Sequence, residues 1–210
     1  MKYCARVTDL LVRPRGARHV LVLAHGAGAG MRHPFLEQLA TALAERRVAT
    51  LRWELPYMAA GRKLPDRPEV AEAAVREAWA RACRVKLPAF ACGKSFGGRM
   101  TSQAHAHGAL PGLLGIAFFG FPLHPPAKPS IARAAHLADA AGPLLFLQGT
   151  RDALAPLRRL RPVLAALGAR AELHVVRGAD HAFHVAGRDD AAVIAELASA
   201  VAAWMGRIAP

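Results

Sequence analysis

Cysteines and long apolar runs are both scarce in this chain. The three cysteines, Cys4, Cys83 and Cys92, are odd in number and scattered, so they predict neither a disulfide framework nor a cysteine-based metal site. No uninterrupted apolar run reaches the ~18 residues that a transmembrane helix needs. No apolar segment follows the start of the chain as it would in a secretory signal. We therefore expect a cytoplasmic protein with no membrane partner.

Acidic residues are also few, since 15 Asp and Glu stand against 28 Lys and Arg and give a net charge of +13. Such an excess is typical of proteins that bind nucleic acids. The densest basic cluster, residues 158–161, lies on a predicted helix without interleaved aromatic residues, and no nucleic-acid motif accompanies it. The other basic residues are spread over the chain. We expect no nucleic-acid partner, and charge alone keeps that function as an alternative.

The chain does contain a regular alternation of short apolar runs and longer amphipathic segments. Apolar runs predict strands, and apolar residues at helical spacing predict helices. The predicted strands are residues 20–24, 48–52, 87–92, 113–119, 144–148 and 171–176, and the predicted helices are residues 34–47, 68–85, 156–167 and 189–204, with another helix opening near 99. One or two antiparallel edge strands are expected within the first 18 residues, around 6–12.

This alternation predicts an α/β fold with a mostly parallel sheet flanked by helices on both faces. The 210 residues suffice for one well-buried domain, and we take residues 1–210 as that domain. The proline-rich segment 121–129 lies too close to the next strand to leave room for a large lid.

The segment GKSFG (93–97) fits two motifs that exclude each other. A phosphate-binding loop requires a glycine five residues before Gly93, and that position is Pro88, which has no amide hydrogen to offer a phosphate. A nucleophile elbow, G-x-S-x-G, requires a strand before the serine, a helix after it and small residues around the turn. The strand 87–92 and the glycines meet these needs, so Ser95 is the predicted nucleophile.

A nucleophilic serine requires a base, and the base requires an acid to orient it. In a parallel sheet such groups collect on loops at the carboxyl ends of the strands. Asp152 follows the strand 144–148 after a turn glycine, and His181 follows the strand 171–176. The order Ser, Asp, His, each at the end of a strand, predicts a triad of Ser95, Asp152 and His181.

The glycine-rich segment HGAGAG (25–30) follows the first apolar strand and predicts an oxyanion hole. We assign its two donors to the backbone amides of Ala27 and Phe96. The rival is a dinucleotide fingerprint, G-x-G-x-x-G, which fails on register because Met31 occupies the third glycine position. Glu54, near the end of the next strand, keeps the nucleotide alternative open.

Four further residues are candidates for the substrate pocket: His25, Gly28, Tyr57 and His124. His25 is expected mainly to pack against the glycine-rich segment or to bind it. His124 ends a strand on the predicted site side and is the substitute base if His181 is wrong.

Two roles are open for each of three charged residues near the predicted site. Lys94 follows Gly93 in the elbow, and we expect it to point away into a structural salt bridge, with a pocket role as the alternative. Arg52 and Glu54 are expected to form a buried pair that braces a loop, and binding of an acidic substrate is the alternative. The spacings H-x-H and H-x-x-H at residues 105–107 and 181–184 lack a carboxylate or cysteine to complete a metal site, so no metal is predicted.

With these residues placed, the chain resembles the α/β-hydrolases. More narrowly, it resembles the KANL3/Tex30-type hydrolase domain and its bacterial relatives, often labelled dienelactone-hydrolase-like. The matching stretches are HGAGAG (25–30), LRWELPYM (51–58), GKSFGGRM (93–100), GFPLHPPAKP (120–129), QGTRD (148–152) and GADHAF (178–183). The resemblance implies a lidless α/β-hydrolase fold with the triad named above.

The resemblance and the motifs together predict a serine hydrolase that cleaves a small ester, thioester or lactone through an acyl-enzyme. Its partner would be a small-molecule acyl substrate, and the chemistry requires no cofactor. The alternative is a hydrolase-fold binding module with little turnover, because family members also serve in complexes.

Overall fold

Seven strands form one sheet in a computed structural model of the protein, which describes residues 9–108 and 110–210. The strands are β1 Leu10–Val12, β2 His19–Ala24, β3 Val48–Trp53, β4 Ala89–Lys94, β5 Leu113–Phe119, β6 Leu144–Gly149 and β7 Ala171–Val176. Their spatial order is β1-β3-β2-β4-β5-β6-β7. Strand β1 pairs antiparallel with β3, and every other neighbouring pair is parallel. The predicted mostly parallel sheet with an antiparallel edge is confirmed for the described residues, and residues 6–8 of the expected edge strand lie outside them.

Helices connect the parallel strands. They are α1 Pro34–Glu45, α2 Pro56–Ala59, α3 Pro68–Ala82, α4 Phe96–His107, α5 Leu157–Leu167 and α6 Asp190–Ile208, with 3₁₀ turns at Cys83–Val85, Ala132–Ala138 and Gly168–Arg170. The predicted helix 68–85 ends as a 3₁₀ turn, and α6 continues beyond the predicted end at Trp204 because Met205 is still buried in the core. The segment between β5 and β6 holds only the short turn Ala132–Ala138, so no large lid covers the sheet there.

Alternate side chains of the central strands are buried in two cores, one on each face of the sheet. On β2, Leu21 and Leu23 belong to the core that contains side chains of α1 and α6, whereas Val20 and Val22 belong to the core that contains side chains of α3, α4 and α5. Burial on both faces explains why the central strands read as continuous apolar runs in the sequence.

Helix α6 is long and apolar enough, by length and composition alone, to cross a membrane. Its side chains Leu197, Val201 and Trp204 are buried in the core that also contains side chains of α1 and β5. In this fold one face of α6 is therefore part of the core.

The passage from β4 to α4 is the most crowded point of the backbone. A β-carbon on Gly93 would lie 2.2 Å from the amide nitrogen of Gly98, and one on Gly97 would lie 2.4 Å from the carbonyl oxygen of His25. Real β-carbons do not approach backbone atoms so closely. Glycine is required at both positions, and its absence of a side chain lets α4 begin directly against β4 and the end of β2.

Gly97→Ala is expected to lower the free energy of unfolding by about 3 kcal/mol or more, because the added methyl overlaps rigid backbone. The matched control is Gly206→Ala in α6, where an added β-carbon meets nothing within 4 Å. That control should leave stability unchanged or raise it by up to about 1 kcal/mol through helix propensity. Urea unfolding followed by circular dichroism measures both, and a Gly97→Ala chain as stable as the wild type would contradict the packing described for this turn.

Candidate active site

Ser95 occupies the turn between β4 and α4 in a backbone conformation that non-glycine residues rarely adopt. Its φ is 50° and its ψ is −114°, and such geometry costs about 1–3 kcal/mol and persists only where the surrounding structure imposes it. The amide of Ser95 donates to the carbonyl of Phe119 at 3.1 Å, which ties the turn to β5. The hydroxyl is thereby held, partly exposed, above the carboxyl edge of the sheet.

The three side chains of the predicted triad meet in a continuous chain of hydrogen bonds. Nε2 of His181 lies 2.8 Å from Oγ of Ser95. Nδ1 of the same ring lies 2.7 Å from Oδ2 of Asp152. These distances place a base within reach of a nucleophile and an acid within reach of the base, as acyl-transfer chemistry requires.

Asp152 is buried and its carboxylate accepts two further hydrogen bonds. The side chain of Gln148 donates to Oδ2 at 2.6 Å, and the amide of Leu154 donates to Oδ1 at 2.8 Å. Burial alone would raise the pKa of Asp152, but the bonds from His181, Leu154 and Gln148 outweigh it and the pKa lies below its usual value. The carboxylate is therefore ionised at neutral pH and can hold the Nδ1 proton of His181.

The loops that carry the acid and the base are fastened to each other. A β-carbon on Gly149 would lie 2.2 Å from the carbonyl oxygen of Ala179, so these two backbones touch. The amide of Arg151 donates to the same carbonyl at 2.9 Å, and the amide of Gly178 donates to Oγ1 of Thr150 at 2.8 Å. This contact fixes the loop after β6 relative to the loop after β7.

The predicted oxyanion donors flank Ser95. Phe96 is the first residue of α4, where backbone amides lack intrahelical acceptors and the helix dipole favours negative charge. Ala27 borders the same cleft as Ser95. Within the described part of the chain, neither amide donates a hydrogen bond to another group. Both are free to bind an anionic oxygen.

Three of the four predicted pocket residues, His25, Gly28 and Tyr57, form hydrogen bonds within or to the glycine-rich segment and do not line the cleft. Tyr57 is fully buried, and its hydroxyl accepts a hydrogen bond from the amide of Gly28 at 2.8 Å. His25 is also fully buried, with Nδ1 2.8 Å from the carbonyl oxygen of Gly26 and Nε2 3.0 Å from the amide of Leu55. The structure agrees with the expectation that His25 binds the glycine-rich segment. None of the three residues lines the cleft as predicted, because their polar atoms bind backbone groups or each other behind it.

His124 is likewise buried away from the cleft, so its predicted pocket role is wrong as well. Its Nδ1 lies 2.9 Å from the carbonyl oxygen of Pro125, and the amide of Leu123 binds the carbonyl of Leu154. These bonds turn the histidine inward. The histidine that lies within hydrogen-bond distance of Ser95 is His181.

Arg52 and Glu54 do not form the predicted pair, because β3 ends at Trp53 and the chain turns between them. Arg52 lies 3.5 Å from Glu37 and donates to the carbonyl of Met31 at 3.2 Å. Glu54 lies 2.9 Å from His25 and accepts a hydrogen bond from the amide of Met31 at 3.2 Å. Both residues bind the backbone of Met31, which directly follows the glycine-rich segment: Arg52 binds its carbonyl and Glu54 its amide.

Lys94 was predicted to point away from the site, and the structure overturns that prediction. Its Nζ donates to the backbone carbonyl of His181 and lies 5.2 Å from the ring centre of Phe183. No carboxylate of the described residues approaches it within ion-pair distance. Burial lowers the pKa of Lys94 to about 8, although Asp152 and Asp180 favour its charged form.

Ser95 opens into a cleft of about 590 Å³. The cleft is lined by Gly26, Ala27, Ala29, His33, Phe35, Leu36, Lys94, Ser95, Arg151, Ala153, Leu154, Asp180, His181 and Ala182. Most of its surface is apolar. This composition is typical of sites for small organic molecules.

The histidine spacings considered for a metal belong to simple pairs. His107 lies 3.0 Å from Glu72, and His184 lies 3.1 Å from Asp190. Among residues 9–108 and 110–210, no three His, Cys, Asp or Glu side chains gather as a metal site would require.

A second serine–histidine contact escaped the sequence reasoning, because no motif surrounds it. Oγ of Ser102 lies 2.8 Å from Nε2 of His136, and both residues are buried between α4 and the turn Ala132–Ala138. Burial and the nearby charge of Arg99 lower the pKa of His136 to about 4. The pair serves as a packing contact beneath the surface, remote from the cleft.

The fold and the sequence both identify the class of this chain. A profile of the alpha/beta hydrolase domain family matches residues 17–208, and the chain belongs to that family. A dienelactone hydrolase from Anabaena variabilis superposes with a TM-score of 0.77 at 20% identity, over 96% of this chain and 92% of that one.

Two further structures share the architecture. A lidless α/β serine hydrolase from Xanthomonas campestris has a TM-score of 0.73 at 19% identity, over 96% of this chain and 88% of that one. A monoacylglycerol lipase from Paleococcus ferrophilus has a TM-score of 0.74 at 15% identity, over 97% and 100%. At such identities the likeness extends to the fold, and the α/β-hydrolase prediction is confirmed.

Tyr57→Phe should lower the free energy of unfolding by about 1 kcal/mol, because the amide of Gly28 loses its acceptor. Thr50→Val is the matched control, since it removes a buried hydroxyl that has no hydrogen-bond partner in the described chain. It should leave stability unchanged or slightly higher. Urea unfolding compares the two, and equal effects would show that the Tyr57 bond contributes nothing.

Proposed function

We propose that the protein is a serine hydrolase that cleaves a small ester, thioester or lactone through an acyl-enzyme. The observation that carries the proposal is the hydrogen-bonded chain from Ser95 through His181 to the buried carboxylate of Asp152. We further propose a small-molecule acyl substrate, a cytoplasmic setting and a reaction that needs no cofactor.

In the first half of the reaction, Oγ of Ser95 attacks the acyl carbon and its proton passes to Nε2 of His181. Asp152 holds the Nδ1 proton and stabilises the imidazolium that results. The carbonyl oxygen becomes an oxyanion, which the amides of Ala27 and Phe96 bind. Each such donor is typically worth roughly 3 kcal/mol of barrier.

The intermediate collapses when the bond to the leaving group breaks and Nε2 of His181 returns its proton to that group. The acyl group is then esterified to Ser95. A water molecule gives a proton to His181 and attacks the acyl carbon, and collapse of the second intermediate releases the acid and restores the Ser95 hydroxyl. The same base serves both halves.

The shape of the cleft supports a small substrate with an apolar part. Its volume of about 590 Å³ falls within the range of small-molecule sites. Phe35, Leu36 and Leu154 offer apolar surface beside Ser95. Similar structures include a dienelactone hydrolase and a monoacylglycerol lipase, and the acyl hydrolysis that these names denote is what we extend to this chain. The narrower KANL3/Tex30-type membership is part of this proposal.

Labelling with a fluorophosphonate probe tests the proposal without knowledge of the substrate. The wild type should be labelled, Ser95→Ala should not be, and His181→Ala should react at least about a thousandfold more slowly because the serine loses its base. The matched control is Ser102→Ala, which removes a serine equally close to a histidine. Its labelling should match that of the wild type, because Ser102 is buried.

Labelling that persists in Ser95→Ala would assign the nucleophile elsewhere. A folded wild type that is not labelled would contradict the hydrolase proposal and favour the binding module. If labelling follows the expected pattern, hydrolysis of matched ester, thioester and lactone panels identifies the acyl group. Binding to DNA or RNA that falls steeply with salt would instead favour the nucleic-acid alternative.

A further inference from the structure

Lys94, the residue before Ser95, contacts His181, the proposed base. Nζ of Lys94 donates to the backbone carbonyl of His181, whose imidazole reaches Ser95. The backbone and the side chain of His181 are thus both bound by consecutive residues of the elbow. This double attachment limits how far the imidazole can move relative to the serine hydroxyl.

The ammonium of Lys94 also lies close to the carboxylate of Asp152 and to the imidazole of His181. All three groups surround Gly120, which has no side chain. A β-carbon there would lie 3.3 Å from Nζ of Lys94, 3.3 Å from Nδ1 of His181 and 3.4 Å from Oδ2 of Asp152. The three groups therefore converge on one point. At such separations a positive charge on Lys94 acts on both the carboxylate and the imidazole.

Few other groups near Lys94 balance its positive charge. The rings of Phe35 and Phe183 lie 5.9 and 5.2 Å from Nζ, which is the range of cation–π contacts. The titratable side chains that share its surroundings are His33 before α1, Arg151 and Asp152 after β6, and Asp180 and His181 after β7. Because burial brings the pKa of Lys94 to about 8, the ammonium is mostly charged at neutral pH and discharges in mild alkali.

We propose that Lys94 is a positioning residue for the base: it fixes the backbone of His181, and its positive charge acts on the imidazole in the sense opposite to the carboxylate of Asp152. An anion beside an imidazole favours the imidazolium, and a cation beside it disfavours the imidazolium. Only an unprotonated ring can take the proton of Ser95. This inference rests on the proposed hydrolase function.

The test is the rate of fluorophosphonate labelling from pH 5 to pH 9.5 in the wild type, Lys94→Met and Lys94→Arg. Methionine removes the charge and the donor but keeps an apolar side chain beside the rings of Phe35 and Phe183. We expect labelling about tenfold slower at the optimum, because the base is less well held. We also expect the acid-side midpoint of the rate to rise by roughly one pH unit, because a nearby cation is gone. Lys94→Arg keeps a cation and should keep the midpoint.

A purely structural role predicts a different result. The proposal expects Lys94→Met to melt at the wild-type temperature or above, since an unpaired, partly buried charge is replaced by an apolar side chain. A lower melting temperature with an unchanged acid-side midpoint would overturn the proposal, as would wild-type rates and midpoint in Lys94→Met.

If Lys94→Met does not fold, Lys94→Gln repeats the test with a neutral donor. A raised midpoint in that variant supports the proposal, and an unchanged one overturns it. An unlabelled wild type overturns the hydrolase function itself. A labelled wild type with unaffected Lys94 variants overturns the role of the lysine alone.

Discussion

The tight turn between β4 and α4 is the constraint on which the rest of the site depends. Because Gly93 and Gly97 carry no side chains, α4 begins against the backbone of β4 and the end of β2. The same approach forces Ser95 into a left-handed φ of 50° and lifts its hydroxyl above the sheet. It also sets the first amides of α4 beside the glycine-rich segment that follows β2. One packing event thus places the proposed nucleophile and both proposed oxyanion donors.

The positions of His181 and Asp152, the proposed base and acid, depend on a second constraint, the contact between the loops after β6 and β7. Gly149 contacts the backbone of Ala179 so closely that a side chain at position 149 would overlap it. Asp152 is held in its loop by a hydrogen bond from Gln148, which lies 4 residues earlier near the end of β6. These hydrogen bonds hold the carboxylate in one orientation. The direction of its hydrogen bond with Nδ1 of His181 is therefore fixed. What remains adjustable is the electrostatic balance at the imidazole, where Asp152 and Lys94 act in opposite senses.

The sequence permitted prediction of the strands, the helices and the order of the three site residues, because apolar periodicity and the position of a residue after a strand are local properties. It failed where a side-chain direction depends on the turn that carries it. Lys94 points into the site because it ends a buried strand and precedes a positive-φ residue, and no spacing encodes that geometry. Tyr57 and His25 lie behind the glycine-rich segment because α2 and the end of β3 fold beneath it, which is a tertiary property.

The two serine–histidine contacts show why distance alone does not define a nucleophile. Ser102 and Ser95 each lie 2.8 Å from a histidine nitrogen. The partner of Ser102 is desolvated and close to Arg99, so its pKa falls to about 4 and it cannot retain a proton taken from a hydroxyl at neutral pH. The partner of Ser95 is partly exposed and hydrogen-bonded to an ionised carboxylate, which stabilises the cation formed during attack. In the proposed reaction, Ser95 is therefore distinguished from Ser102 by the charges around its histidine, which are those of the Asp152 carboxylate and the Lys94 ammonium.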